Sequence, residues 1–70
     1  MEKKTVLLVE DDTLVRGLLV SAFEREYNIL EASECSEAAK LLCNPIDIAI
    51  IDYVLPDGNG FDVLKAGIRG

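Results

Sequence analysis

The chain has 70 residues, half of them hydrophobic, and a mean hydropathy of +0.24. That allows one small domain at most, close to the lower limit for an independent core, and is too apolar for a disordered segment. A net charge of −6, from 13 acidic and 7 basic residues, argues against nucleic-acid binding and favours cations or a partner with a basic face.

Met1-Glu2-Lys3-Lys4 leads into a run too short and too soon acidic for a secretory signal. Thr5–Val9 is continuously apolar and rich in β-branched residues, the pattern of a strand buried on both faces of a parallel sheet. It stops at Glu10-Asp11-Asp12. From Thr13 to about Glu26 the period becomes helical, with Leu14, Val15, Leu18, Leu19, Ala22 and Phe23 forming one apolar stripe. Gly17 costs about 1 kcal/mol relative to Ala inside a helix, so it is expected to mark close packing against a neighbour.

Tyr27–Ala32 predicts a second strand and Ser33–Leu42 a short helix, capped by Ser33 or Ser36, with Ala38, Ala39, Leu41 and Leu42 on its buried side. Asn44-Pro45 ends it. Ile46–Asp52 is a third apolar strand, again closed by a carboxylate. Pro56-Asp57-Gly58-Asn59-Gly60 is a turn-rich loop, and Asn59 is placed to cap a last helix starting at Gly60 or Phe61, with Asp62 in its first turn.

The longest apolar runs are too short to span a bilayer. Cys35 and Cys43 would lie about 12 Å apart along a helix, too far for a disulfide. They read as free thiols of a reducing compartment, which places the chain in the cytoplasm. With no histidine, His-based metal sites and His general bases are excluded.

The order β-α-β-α-β-α implies an α/β fold with a parallel sheet. With right-handed crossovers and strand order 2-1-3, the first helix falls on one face and the other two on the opposite face. Strands one and three are then neighbours, and their acids, Glu10-Asp11 and Asp52, meet at the topological switch point where open α/β sheets bind ligands. Carboxylates about 5 Å apart repel by roughly 3 kcal/mol per pair at an effective dielectric of 20. A raised pKa or a hard cation relieves this, and oxygen-only ligands suit Mg²⁺, with Mn²⁺ as a substitute. The competing reading is that such strand-end acids are simply solvated loop residues.

Val6-Leu-Leu-Val-Glu-Asp-Asp12, followed by the helical stripe, resembles the opening of a response-regulator receiver domain of two-component signalling. Asp47-Ile-Ala-Ile-Ile-Asp52-Tyr-Val-Leu-Pro56-Asp-Gly-Asn-Gly60 resembles that family's phosphoacceptor strand and loop. Two motifs at the right separation, with the right elements between them, make the resemblance specific over nearly the whole chain. It implies a truncated flavodoxin-like fold spanning residues 1–70, with the family's fourth and fifth strand–helix units absent. It also implies that Asp11 binds Mg²⁺ directly and Glu10 through water. Asp52 would be both metal ligand and phosphoacceptor, and the Val54 backbone carbonyl would complete the coordination. Pro56 and Gly60 would shape the loop, and Asp12 would sit at the helix N-terminus rather than on the metal.

The implied partner is a sensor histidine kinase or phosphotransfer protein, whose phosphohistidine gives its phosphoryl group to Asp52. The family's phosphate-sensing Ser or Thr and its Lys belong to the absent half. Thr13 and Lys65 read as a helix N-terminal residue and a solvated charge, not as substitutes. The apolar third strand would be an open edge, so self-association through it is expected.

Three other functions compete. A flavodoxin-like cofactor site needs a phosphate-cradling loop where Glu10-Asp11-Asp12 would repel phosphate. A topoisomerase–primase type Mg²⁺ nuclease wants an acid where Val54 stands. A non-signalling interaction or dimerisation module would keep the pocket without phosphotransfer.

Overall fold

A computed structural model describes residues 3–69 of the chain. The elements are β1 (Lys4–Val9), α1 (Thr13–Phe23), β2 (Tyr27–Ala32), α2 (Cys35–Leu41), β3 (Ile48–Ile51), β4 (Val54–Leu55), β5 (Gly58–Asn59) and α3 (Gly60–Arg69). The three longest strands form a parallel sheet of order β2-β1-β3, one of the few orders that right-handed crossovers allow and the one expected from the sequence.

Register fixes which side chains share a face. Leu7 and Val9 of β1 face the same side as Leu30 and Ala32 of β2 and Ile51 of β3. There they join Ala38, Leu55 and Val63 in the core, flanked by Leu41, Leu42 and Ile46, so α2 and α3 cover this face. Val6 and Leu8 point the other way, alongside Glu31, Ile48 and Ile50. Arg16 of α1 reaches Glu31, which puts α1 on that second face. Helices thus occupy both sides, α1 alone on one of them among the described residues.

α1 meets the sheet through only part of its apolar stripe. The residues that turn inward are Arg16, Leu19, Val20 and Phe23, all half-buried, and Phe23 stacks edge-on with Tyr27 at 6.1 Å. No residue of α1 is buried; Leu14 is 73% and Leu18 64% exposed. Nothing among the described residues lies within 4 Å of a Cβ built on Gly17, so the expected close neighbour is not found there. Hydrophobic spacing reports that a helix has an apolar side; what covers that side depends on how many elements lie beyond it. Ile48 and Ile50 of β3, at the edge of the sheet among the described residues, are each 38% exposed. α1 also stops three residues short of Glu26, at Phe23, because Glu24-Arg25-Glu26 offers nothing to pack on the sheet.

Two local expectations need correction. The loop after β3 is not wholly irregular: Val54 pairs with Asn59 and Leu55 with Gly58, making a two-residue antiparallel hairpin around Pro56-Asp57. Neither Ser33 nor Ser36 caps α2. Its N-cap is Glu34, which contributes no side-chain cap bond, while Ser33 bonds Glu37 and Ser36 bonds Glu34. Asn59 does cap α3, its Oδ1 accepting from the N–H groups of Phe61 and Asp62. Both cysteines are free. No helix among the described residues is long and apolar enough to cross a membrane.

Candidate acidic metal site at the switch point

Parallel pairing carries the strand ends to one place. The N–H of Asp52 donates to the Val9 carbonyl (2.9 Å) and the N–H of Glu10 to the Ala32 carbonyl (3.0 Å), so both acids extend directly from the ladder. One carboxylate oxygen each from Glu10, Asp11 and Asp52 then lie within 4.8 Å of one another. Glu10 and Asp52 are half-buried and Asp11 is exposed.

The crowding has an electrostatic consequence. Partial burial, followed by the negative charge of Asp52 and a hydrogen bond to it, pushes the Glu10 carboxyl above its ordinary value; Asp11 adds to this. Neighbouring acids favour the protonated form of Glu10, and a bound cation would relieve the same repulsion. The donor set is hard oxygen throughout and open on the solvent side, which fits Mg²⁺ with bound water better than a soft metal.

Asp12 stands apart from the trio. Its Oδ1 accepts from the N–H groups of Leu14 (2.9 Å) and Val15 (3.1 Å), making it the N-cap of α1. Val54 lies in β4 with its side chain exposed, and its N–H points at Asp52 Oδ1 at 3.4 Å. Gly60 is buried where a Cβ would come 2.8 Å from the Asp52 carbonyl oxygen, so only glycine lets α3 start this close to β3.

Two further residues brace the surroundings of the site. Arg16 donates through Nη1 to the Glu10 carbonyl (2.8 Å) and through Nε to Glu31 (3.3 Å), bracing the first strand's acidic end from α1. Its position among apolar stripe residues was the available signal. Asp57, in the hairpin turn, accepts from the backbone of α2, and no local pattern announces a bond across 22 positions.

A 2-1-3 parallel sheet with three acids gathered at the switch point, followed by a Pro–Gly loop, defines a receiver-type signalling domain. The chain belongs to the response regulator receiver domain family, whose model matches residues 6–68. It is similar to the transcriptional regulatory protein CpxR of Escherichia coli, 39% identical over 62 residues, 87% of this chain and 27% of that protein. Response regulator SaeR of Staphylococcus aureus is 34% identical over 61 residues, again 27% of its length. Among solved structures, the non-phosphorylated HemR receiver domain of Leptospira biflexa superposes with a TM-score of 0.89 at 38% identity, covering 96% of this chain and 56% of that one. The MaeR response regulator bound to beryllium trifluoride gives a TM-score of 0.82 at 31% identity, covering 94% and 57%. The chain therefore spans a little over half of these receiver chains and about a quarter of the curated relatives. Receiver domains in general bind Mg²⁺, accept phosphoryl groups and interact with histidine kinases or phosphotransfer proteins.

Proposed function

We propose that this chain is a cytoplasmic receiver that takes a phosphoryl group onto Asp52 from the phosphohistidine of a sensor histidine kinase or phosphotransfer protein. The observation that carries this reading is the convergence of Glu10, Asp11 and Asp52 within 4.8 Å at the switch point. Asp11, Asp52 and the Val54 backbone carbonyl would hold Mg²⁺ directly, and Glu10 would hold it through water. When bound, the ion supplies positive charge against the phosphoryl oxygens. Cytoplasmic placement is supported by the two free thiols.

The chemistry asked of the protein is modest. An Asp52 oxygen attacks phosphorus in line, the P–N bond to the donor imidazole breaks, and an acyl phosphate forms. Asp52 is a weak nucleophile, so position is its chief contribution. The Val9 carbonyl fixes its backbone, and the Val54 N–H faces one oxygen, leaving the other to attack. Glu10 and Asp11 leave no room for an unscreened anion, which makes transfer depend on the cation.

A small phosphodonor such as acetyl phosphate tests the proposal, with and without Mg²⁺, on the wild type and Asp52→Asn. Mg²⁺-dependent, hydroxylamine-labile label lost in Asp52→Asn is the expected result. A folded wild type that takes no label overturns it in favour of the interaction module. Beryllium trifluoride, with which the similar MaeR is bound, is a second probe of the same pocket.

One observation favours self-association alongside this reading. β3 is an edge strand of the sheet, and Leu14, Leu18, Ile48 and Ile50 lie exposed on the α1 side. Sedimentation across a concentration series tests it: a concentration-dependent dimer is expected, and a folded monomer at every concentration rejects it.

A further inference from the structure

The loop that follows Asp52 is tied to the first turn of α2 by the Asp57 carboxylate, with a weaker bond from the Cys35 thiol to the Asn59 carbonyl beside it. α2 lacks a cap of its own, since Glu34 contributes no side-chain bond and both nearby serines are engaged elsewhere. The first-turn N–H groups of Cys35 and Ser36 donate instead to the two carboxylate oxygens of Asp57, at 2.6 and 3.0 Å. These bonds, the one from Cys35 first, hold the Asp57 carboxyl below its ordinary range.

The surrounding contacts show that the loop is seated. The Cys35 thiol points at the Asn59 carbonyl (3.6 Å), and a Cβ on Gly58 would come 2.6 Å from Asp62 Oδ2 and 3.0 Å from Cys35 Sγ. Asn59 in turn caps α3, and Asp62 accepts from the Asn59 N–H at 2.9 Å. At its other end the loop begins with Val54, whose N–H faces Asp52. The hairpin between these ends has only two paired residues per strand; Leu55 anchors it in the core, and Asp57 adds the polar tie to α2.

We propose that Asp57 is a positioning residue: by clamping the 54–59 hairpin to the first turn of α2, it fixes the Val54 backbone relative to Glu10, Asp11 and Asp52 and so sets the affinity of the acidic pocket for a divalent cation. This rests on the pocket being a Mg²⁺ site. A cap alone could have come from residue 34, as most helix caps do, whereas a cap supplied from 22 positions away also joins the loop to the helix. The partners that orient metal ligands from behind are typically worth about ten- to a hundredfold in metal affinity.

The experiment separates capping from clamping. Asp57→Ala removes both; adding Glu34→Asn to it restores a local cap to α2 without restoring the clamp. Mg²⁺ titrations are followed through the amide resonances of Glu10, Asp11 and Asp52, and α2 is monitored by hydrogen exchange at Cys35 and Ser36. The expected result is a Mg²⁺ dissociation constant raised about tenfold in Asp57→Ala, and still raised in the double variant although exchange protection in α2 has returned. Unchanged affinity in folded Asp57→Ala, or full recovery in the double variant, overturns the clamp. If wild-type protein itself shows no Mg²⁺ response, the pocket reading fails and the clamp's role falls with it. That outcome is told apart from the others because it needs no variant. Should Asp57→Ala fail to fold, the double variant carries the comparison.

Discussion

The Asp52 N–H donates to the Val9 carbonyl at 2.9 Å, one residue before Glu10, so a single ladder bond sets the distance between the acids of the first and third strands. Everything the site does starts from that bond. It brings two negative side chains together whether or not a cation is present, and the fold bears the repulsion when none is.

Stability should therefore depend on pH through Glu10. Its pKa is raised in the fold, by partial burial first and then by Asp52, so the folded state holds the proton more tightly than the unfolded chain. The favourable contribution is complete below the ordinary glutamate value and is lost as pH rises through the raised one. In Mg²⁺-free buffer the melting temperature should fall across that window, and Glu10→Gln should remove the fall and exceed wild type at neutral pH. At more acid pH, Asp57 and Glu37 oppose this. Both are held below their ordinary values by hydrogen bonds, Asp57 from the Cys35 N–H and Glu37 from Ser33, so their stabilisation is lost on protonation. Mg²⁺ should raise the wild-type melt more than that of Glu10→Gln. Thermal melts by circular dichroism from pH 3 to 8 check both signs.

Asp12 offers a control within the same acidic run. It caps α1 through Leu14 and Val15, so Asp12→Ala should cost about 1 kcal/mol of stability. Its Mg²⁺ dissociation constant should stay that of wild type. A urea titration paired with a metal titration tells cap from ligand, and a tenfold loss of metal affinity would place Asp12 on the ion.

Glycine to alanine should have opposite effects at two positions. At Gly60 a Cβ would press on the Asp52 carbonyl oxygen at 2.8 Å and on Ile51 Cγ2 at 3.2 Å, so Gly60→Ala should destabilise by about 1–3 kcal/mol and weaken Mg²⁺ binding. At Gly17 a Cβ meets nothing within 4 Å, and Gly17→Ala in mid-helix should stabilise by about 0.5–1 kcal/mol. Denaturant midpoints of the two variants decide it. A stabilised Gly60→Ala would show that α3 does not start where the contacts put it.

Strand order, the gathering of Glu10, Asp11 and Asp52, the capping role of Asn59 and the place of Asp12 at a helix N-terminus were all legible in the sequence. Each follows from short-range chemistry: apolar runs that end in acids, right-handed crossovers, and short polar side chains placed just before helical periods. Asp57 was not legible, because it bonds backbone N–H groups 21 and 22 positions away, which carry no residue-specific mark; Arg16 showed only as a charge among stripe residues, with nothing local to name Glu10 and Glu31 as its partners.

By itself, then, the sequence determined the parallel α/β order and the carboxylates that close its first and third strands, because periodicity and local steric rules act within a few residues. Only the tertiary structure decided which face of α1 meets the sheet, that a hairpin follows Asp52, and that Asp57 secures it to α2. Those depend on where elements far apart in the chain come to rest against one another, and on backbone donors left unmet until they do.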